Sequence, residues 1–231
     1  MSFFNKRHFM STTSCLAITL FLPCNRLNAQ VSNTITANLI KKAEVGDTNA
    51  IRNLVVSFVR MDPDERTETK EWFRKRATAG DTDAMYRLAL IYYALDDTDS
   101  KNPELAVSWY KKAAEKGHAG AMVHLADLYL EGKLVKQNHA EAFRLLTLAA
   151  EKGLPLAMLE LADCYFTGKG TPQNYSEAVR WYRSAAEKGN TYAMLSMGRC
   201  YLHGLGIIQD REEAERWFSA ALYDKTMLKK L

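Results

Sequence analysis

The 231-residue chain contains none of the short motifs that carry common catalytic chemistry. There is no Gly-x-Ser-x-Gly, no His-Glu-x-x-His, no P-loop and no Gly-x-Gly-x-x-Gly. Gly168-Lys169-Gly170-Thr171 has the outline of a phosphate loop, but it lacks the preceding strand and the four-residue spacer and reads as a turn. His118, His124, His139 and His203 fall at unrelated positions and make no metal spacing. No catalytic residue, metal site or cofactor is expected. Strand signals, low-complexity segments and a second domain are missing as well. What is present is an ordinary globular composition, 47% hydrophobic and 25% charged, ample for a core.

A long apolar run is also lacking. The stretch from Phe9 to Leu22 is diluted by Ser and Thr and too short to span a membrane, which takes about 20 apolar residues. It follows a basic start (Lys6, Arg7, His8) and is broken by Pro23, and Leu27-Asn28-Ala29 offers a small residue before Gln30. Basic, then apolar, then small is the order of a secretory signal peptide. Residues 1–29 are therefore expected to be an export signal cleaved after Ala29, which places the protein in the periplasm or outside the cell. Removing Lys6, Arg7 and Arg26 from the 31 basic residues leaves 28 against 27 acidic ones. Nothing in that balance points to nucleic acid.

Cysteine is scarce. Beyond residue 29 only Cys164 and Cys200 occur, 36 positions apart. Equivalent sites on neighbouring stacked helices lie roughly 8–10 Å apart, beyond the reach of about 7 Å that a disulfide needs. Two buried free thiols are expected, with a bridge as the alternative in an oxidising compartment.

That spacing of 36 belongs to the whole chain. Ala113-Ala114-Glu115-Lys116-Gly117 recurs as Ala149-Ala150-Glu151-Lys152-Gly153 and as Ala185-Ala186-Glu187-Lys188-Gly189. Fainter copies end at Gly80 and Gly46. A fixed period of this length marks a solenoid of stacked helical units. Four residues past each glycine stands Ala50, Ala84, Ala121, Ala157 or Ala193. Four further on comes Leu54, Leu88, Leu125, Leu161 or Met197, and four beyond that Phe58, Tyr92, Tyr129, Tyr165 or Tyr201. Steps of four build one helical stripe, helix A of each unit.

Gly132, Gly168 and Gly204 close helix A, and Asn138, Asn174 and Asp210, each with a glutamate three residues on, predict capping boxes for helix B. Helix B carries Ala106-Trp109-Tyr110-Ala113 and its equivalents. Trp72, Trp109, Trp181 and Trp217 share its register and are expected in the core. Asp47, Asp81 and Asn190 are expected to cap the following helix A. The first unit is degenerate, and Leu39, Ile40 and Ala43 suggest a lone capping helix before it.

Residues 157–189 read Ala-x3-Leu-Ala-x2-Tyr-x2-Gly-x-Gly, then Asn-Tyr-x-Glu-Ala-x2-Trp-Tyr-x2-Ala-Ala-x2-Gly. This pattern closely resembles the Sel1-like repeat, a relative of the tetratricopeptide repeat. Leu134 and Leu145 depart from it, and the unit at 84–117 lacks the loop glycines. The resemblance implies an all-α fold: a right-handed α/α superhelical solenoid of about five helix-turn-helix repeats with an N-terminal capping helix. The expected organisation is signal 1–29, capping helix 30–46, repeats 47–226 (units about 47–80, 81–117, 118–153, 154–189 and 190–226) and tail 227–231.

The resemblance further implies an adaptor or scaffold that binds another protein or peptide, one that neutralises or chaperones an envelope or effector protein. It implies no nucleic acid and no membrane span, and leaves oligomeric state open. The alternative is a β-lactam- or cell-wall-directed hydrolase of the cysteine-rich Sel1-like type, though neither repeat holds a second cysteine. A structural role in envelope assembly is a third. Repeated residues hold the stack together, so function is expected where columns vary. Off the helix-A stripe, Arg87, His124, Glu160 and Ser196 form one such column, and Leu90, Asp127, Asp163 and Arg199 form the next. In tetratricopeptide-like superhelices helix A lines the concave side, so these eight residues resemble a peptide groove.

Overall fold

The computed structural model describes residues 26–95 and 102–223. Most of the expected export signal and the tail 227–231 lie outside them. The described residues form eleven α-helices and no strand, stacked as one α/α solenoid. α1 (Arg26–Glu44) stands alone ahead of five pairs. The pairs are α2 (Thr48–Ser57) with α3 (Pro63–Thr78), α4 (Thr82–Leu90) with α5 (Pro103–Glu115), and α6 (Ala119–Glu131) with α7 (His139–Glu151). α8 (Pro155–Thr167) with α9 (Tyr175–Glu187) and α10 (Thr191–His203) with α11 (Arg211–Tyr223) complete them. From α3 onward each helix packs on the next; α1 packs on both α2 and α3, and α6 also touches α8, helix A against helix A. α1 begins at Arg26, four residues ahead of the expected processing point.

The alanine columns explain the close stacking. Ala113, Ala149 and Ala185 are fully buried, as are Ala121, Ala157 and Ala193, so neighbouring helices approach without a side chain between them. Helix A ends on a left-handed glycine in the last three pairs, with φ between +66° and +74° at Gly132, Gly168 and Gly204. Trp109 and Trp217 are buried, as the stripe predicts. Trp72 and Trp181 correct that expectation. They sit half-buried at the rim of the core, each under a guanidinium, Arg76 at 5.0 Å and Arg180 at 5.5 Å from the ring centroid.

Caps follow the expected residues with one correction. Asp47, Asp81 and Asn190 accept the N–H groups of Ala50, Ala84 and Ala193. Asn138, Asn174 and Asp210 accept those of Glu141, Glu177 and Glu213 at 3.0–3.1 Å. The glutamates do not return the bond. Each turns outward to an arginine one turn on (Arg144, Arg180, Arg216). The cap's own N–H instead donates to a helix-A carbonyl, Tyr129, Tyr165 or Tyr201, at 2.8–3.0 Å. With that donor already satisfied, the second half of the box has nothing to bind.

The complete capping box lies in the degenerate unit. Asp62 Oδ1 accepts from the Glu65 N–H at 2.9 Å, and Glu65 Oε2 accepts from the Asp62 N–H at 3.1 Å. Glu65 Oε1 also accepts the hydroxyl of Thr36 on α1 at 2.7 Å, with both residues buried. One carboxylate thus caps α3 and ties α1 to the first pair. Asp62→Ala is expected to cost about 1 kcal/mol and Glu65→Ala about 2 kcal/mol, since the latter strands two donors, the Asp62 N–H and the buried Thr36 hydroxyl. Native-state hydrogen exchange reads this as amides of α1–α3 opening about five-fold and about thirty-fold faster. Equal effects in α8–α11 would contradict the local assignment.

Candidate functional site

The two varied columns lie on successive helices A, α4, α6, α8 and α10, and contacts join several of their members. Seven of their eight residues are half-buried, and only Arg199 is exposed. From helix B, Tyr110 stacks on His124 and Tyr182 reaches Asp163 and Ser196.

At the N-terminal end Arg87 pairs with Asp83 one turn away at 2.5 Å. His118 caps α6, its Nδ1 accepting the Ala121 N–H at 3.0 Å, and its Nε2 lies 3.7 Å from Asp83. An imidazole thus stands where three other units use Asp or Asn and the fourth pair has the uncapping Leu154. The His118 contact, then Arg87, hold the Asp83 carboxyl down at about 2. Tyr86 lies between two imidazoles, with ring centroids 4.3 Å from His118 and 5.7 Å from His124. Its hydroxyl meets His124 Nε2 at 3.2 Å, and His124 also stacks on Tyr110 at 5.4 Å. Burial, then the charge of His118, pushes the His124 pKa down, so its neutral form is favoured. Leu90 is packed against the core and offers the groove no polar group.

The middle is acidic. Asp127 of α6 and Glu160 of α8 hydrogen-bond to each other, which requires a proton between them. Burial raises both, Asp127 to about 6 and Glu160 to about 9, the latter also through the charge of Asp127. Asp163 accepts the hydroxyl of Tyr182 from α9 at 2.5 Å, and Ser196 of α10 bonds the same tyrosine. Arg199, exposed at the C-terminal end, brings the opposite charge.

Several residues of the site carry no column signal. Tyr86, Tyr110, Tyr182, Asp83 and His118 belong to it although their positions read as core, cap or surface. Tyr110 and Tyr182 could have been found by noting that helix B alternates Tyr, Leu146, Tyr and Phe218 where the scaffold needs only bulk. Cys164 and Cys200 are buried and unbridged, and burial pushes their thiols up to about 12 and about 11. The disulfide inside each repeat that marks the cysteine-rich type is therefore not formed by these two residues, and the hydrolase alternative loses its footing.

Stacked helix pairs with a varied groove define an α/α solenoid of the interaction-scaffold class. The chain belongs to the Sel1 repeat family, whose profile matches residues 82–118, 119–154, 155–190 and 191–223. The first pair, α2–α3, precedes the matched region. Among solved structures, the chain is 34% identical to a protective antigen of uropathogenic Escherichia coli, with a TM-score of 0.69. That match covers 80% of this chain and 40% of the antigen, so the chain spans less than half of the antigen's length. A Sel1 repeat protein of Oxalobacter formigenes is 27% identical, with a TM-score of 0.67 over 90% of this chain and 89% of that one. An immunity protein of Pseudomonas aeruginosa shares the fold at 21% identity and a TM-score of 0.50, over 90% and 80%. Sel1 repeat proteins generally serve as protein-interaction scaffolds. No helix among the described residues is long and apolar enough to cross a membrane.

Proposed function

We propose that this chain is an exported binding protein whose helix-A groove holds a segment of a partner protein or peptide. One observation carries the reading. At repeat-equivalent positions the scaffold residues are nearly constant, whereas the groove residues change chemistry from unit to unit. Along the stack they run cationic Arg87, aromatic His124, acidic Asp127, Glu160 and Asp163, then cationic Arg199. A solenoid needs no such variety to stand, and a sequence-specific partner does. The groove suits an extended segment because its polar groups follow one another along a line. Export rests on the basic, apolar and small order of residues 1–29. The partner is then an envelope or extracellular protein, and holding it inactive or soluble is the role we assign.

The test uses affinity capture from the envelope fraction with the wild type, Arg199→Glu and Asp163→Asn. Arg199 is exposed and Asp163→Asn keeps the shape, so both variants should melt like the wild type. Each is expected to hold the captured partner at least ten-fold more weakly. Undiminished capture by both variants would overturn the groove assignment. The captured wild type should begin at Gln30, and an intact N-terminus would remove export from the proposal.

A further inference from the structure

Two polar atoms in the middle of the groove have no partner. Glu160 Oε2 is buried without a hydrogen bond, and so is the hydroxyl of Tyr110, a residue only 1% exposed. Buried orphans of this kind are rare in folded proteins and call for an explanation.

The repeat shows how the Tyr110 orphan arises. Tyr182, at the same helix-B position two units on, donates to Asp163 and bonds Ser196. The equivalent places around Tyr110 hold Leu90, which has no acceptor, and His124, which lies flat on the ring. The Tyr110 hydroxyl is left within electrostatic reach of Asp127, whose carboxyl hydrogen-bonds Glu160. The Tyr110 hydroxyl of α5 thus lies near Asp127 of α6, which meets Glu160 of α8.

The charged groups that act on the pair are acidic. Asp127 feels Glu131 on its own helix and Glu160 from α8, and Glu160 feels Asp163. Tyr110 faces the pair from α5, Cys164 lies beside it on α8, and Tyr182 of α9 reaches Asp163. The charges that shift the two carboxyls, Glu131, Asp127 and Asp163, are acidic. Nor do the described residues offer three His, Cys, Asp or Glu side chains grouped to hold a metal ion. The unmet demand is for one monovalent cation bearing several N–H donors.

We propose that the Asp127–Glu160 pair, with the Tyr110 hydroxyl near Asp127, is the receptor for one lysine or arginine side chain of the segment lying in the groove. The proposal rests on the binding reading above and names the chemistry that reading lacks. The incoming ammonium or guanidinium donates to Glu160 Oε2, and the Tyr110 oxygen accepts a further N–H. A planar guanidinium can bridge both carboxyls. The proton shared by the empty pair leaves to solvent as the cation enters. Charge then balances: one negative charge plus one positive ligand gives two negative charges, the bound cation and a released proton. Binding therefore strengthens as pH rises and weakens as the pair takes up protons.

The probe is the peptide acetyl-Gly-Arg-Gly-amide, with acetyl-Gly-citrulline-Gly-amide as its neutral isostere. Both are titrated by NMR into the wild type and into Glu160→Gln at pH 5.5 and pH 9. The amide of Gln fits the place of the protonated carboxyl, so that variant keeps its fold, checked by circular dichroism. The arginine peptide is expected to bind at least ten-fold tighter at pH 9 than at pH 5.5, shifting amides of α6 and α8. Calorimetry in two buffers of different ionisation heat should show proton release on binding at pH 7.5. Citrulline and Glu160→Gln should each weaken binding at least ten-fold. Equal binding of the two peptides, binding indifferent to Glu160, or no binding of either would overturn the receptor. A partner that still depends on Arg199 while the arginine peptide fails leaves the groove reading standing without the receptor. An arginine peptide that binds as expected, with no partner sensitive to the groove, removes that reading and keeps the receptor.

Discussion

Gly170→Ala is expected to destabilise the protein by about 3 kcal/mol, far more than the same change at a loop glycine with open space around it. Gly170 has φ +76°, and a Cβ there would lie 2.7 Å from the carbonyl carbon of His139 and 2.9 Å from Phe143 Cβ. His139 opens α7, so the obstacle is the backbone of the preceding unit, which moves only if the third and fourth pairs part. Overpacking costs roughly 1–3 kcal/mol and a left-handed alanine about 1 kcal/mol more. Gly206 meets the Tyr175–Ser176 backbone in the same way, with Ser176 N at 2.7 Å. Gly46 has a comparable φ of +89° but nothing within 4 Å, so Gly46→Ala should cost only the backbone term, about 1 kcal/mol. Urea unfolding followed by tryptophan fluorescence separates the two. Equal losses at Gly46 and Gly170 would show that the second loop glycine is not a contact between units.

Alkaline instability is the second large effect. Burial raises the pKa of both Asp127 and Glu160 above their ordinary values. A carboxyl raised on folding contributes stability that is whole below its unfolded pKa and is lost as pH climbs through its folded one. The loss should therefore run from about pH 5 to pH 9, the span between the ordinary carboxyl range and the raised Glu160 value. Glu160→Gln removes the second ionisation and should be more stable than the wild type at pH 9, by on the order of 2 kcal/mol after allowing for partial exposure. At pH 5 the two should match. His124 acts in the opposite sense. Its lowered pKa means that stability is lost as pH falls below its unfolded value near 6.5, in both proteins alike. Thermal melts of the two proteins across pH 5–9 check this, and parallel curves would mean that the pair is not strained by ionisation.

The reading of the sequence went furthest where one residue type serves one local need. The Ala-Ala-Glu-Lys-Gly phrase is a helix end in the structure, with Gly117, Gly153 and Gly189 just past the helices at φ +84° to +86°. The caps at Asp47, Asp81 and Asn190 were legible for the same reason, since a short acceptor and the N–H it serves lie within three residues. Long-range partners were not legible. Whether Glu141 returns a capping bond depends on the Tyr129 carbonyl, which belongs to the other helix of the pair. The Asp62–Glu65 box was obscured because its linker departs from the repeat pattern. A third column, Gln137, Gln173 and Gln209, looks like polar loop but seals the end of helix A, each amide donating to a carbonyl at 2.8 Å.

The groove shows the same limit. Periodicity placed its eight residues on one side of helix A but could not give their depth, which the helix-B tyrosines set. Nor could it join Asp127 to Glu160, which belong to different columns of successive units. Their meeting depends on the offset between pairs, fixed by the alanines and by the glycine contacts at Gly170 and Gly206.

Site-specific photo-cross-linking in the native envelope tests the central claim most directly. A benzophenone side chain is placed at Ser196 or Arg199 in the groove, and at Arg180 or Arg216 on exposed helix-B positions. The groove positions are expected to yield a discrete adduct with one partner, and the helix-B positions none. An adduct formed only from Arg180 or Arg216 would place binding on the other side of the solenoid and contradict the account.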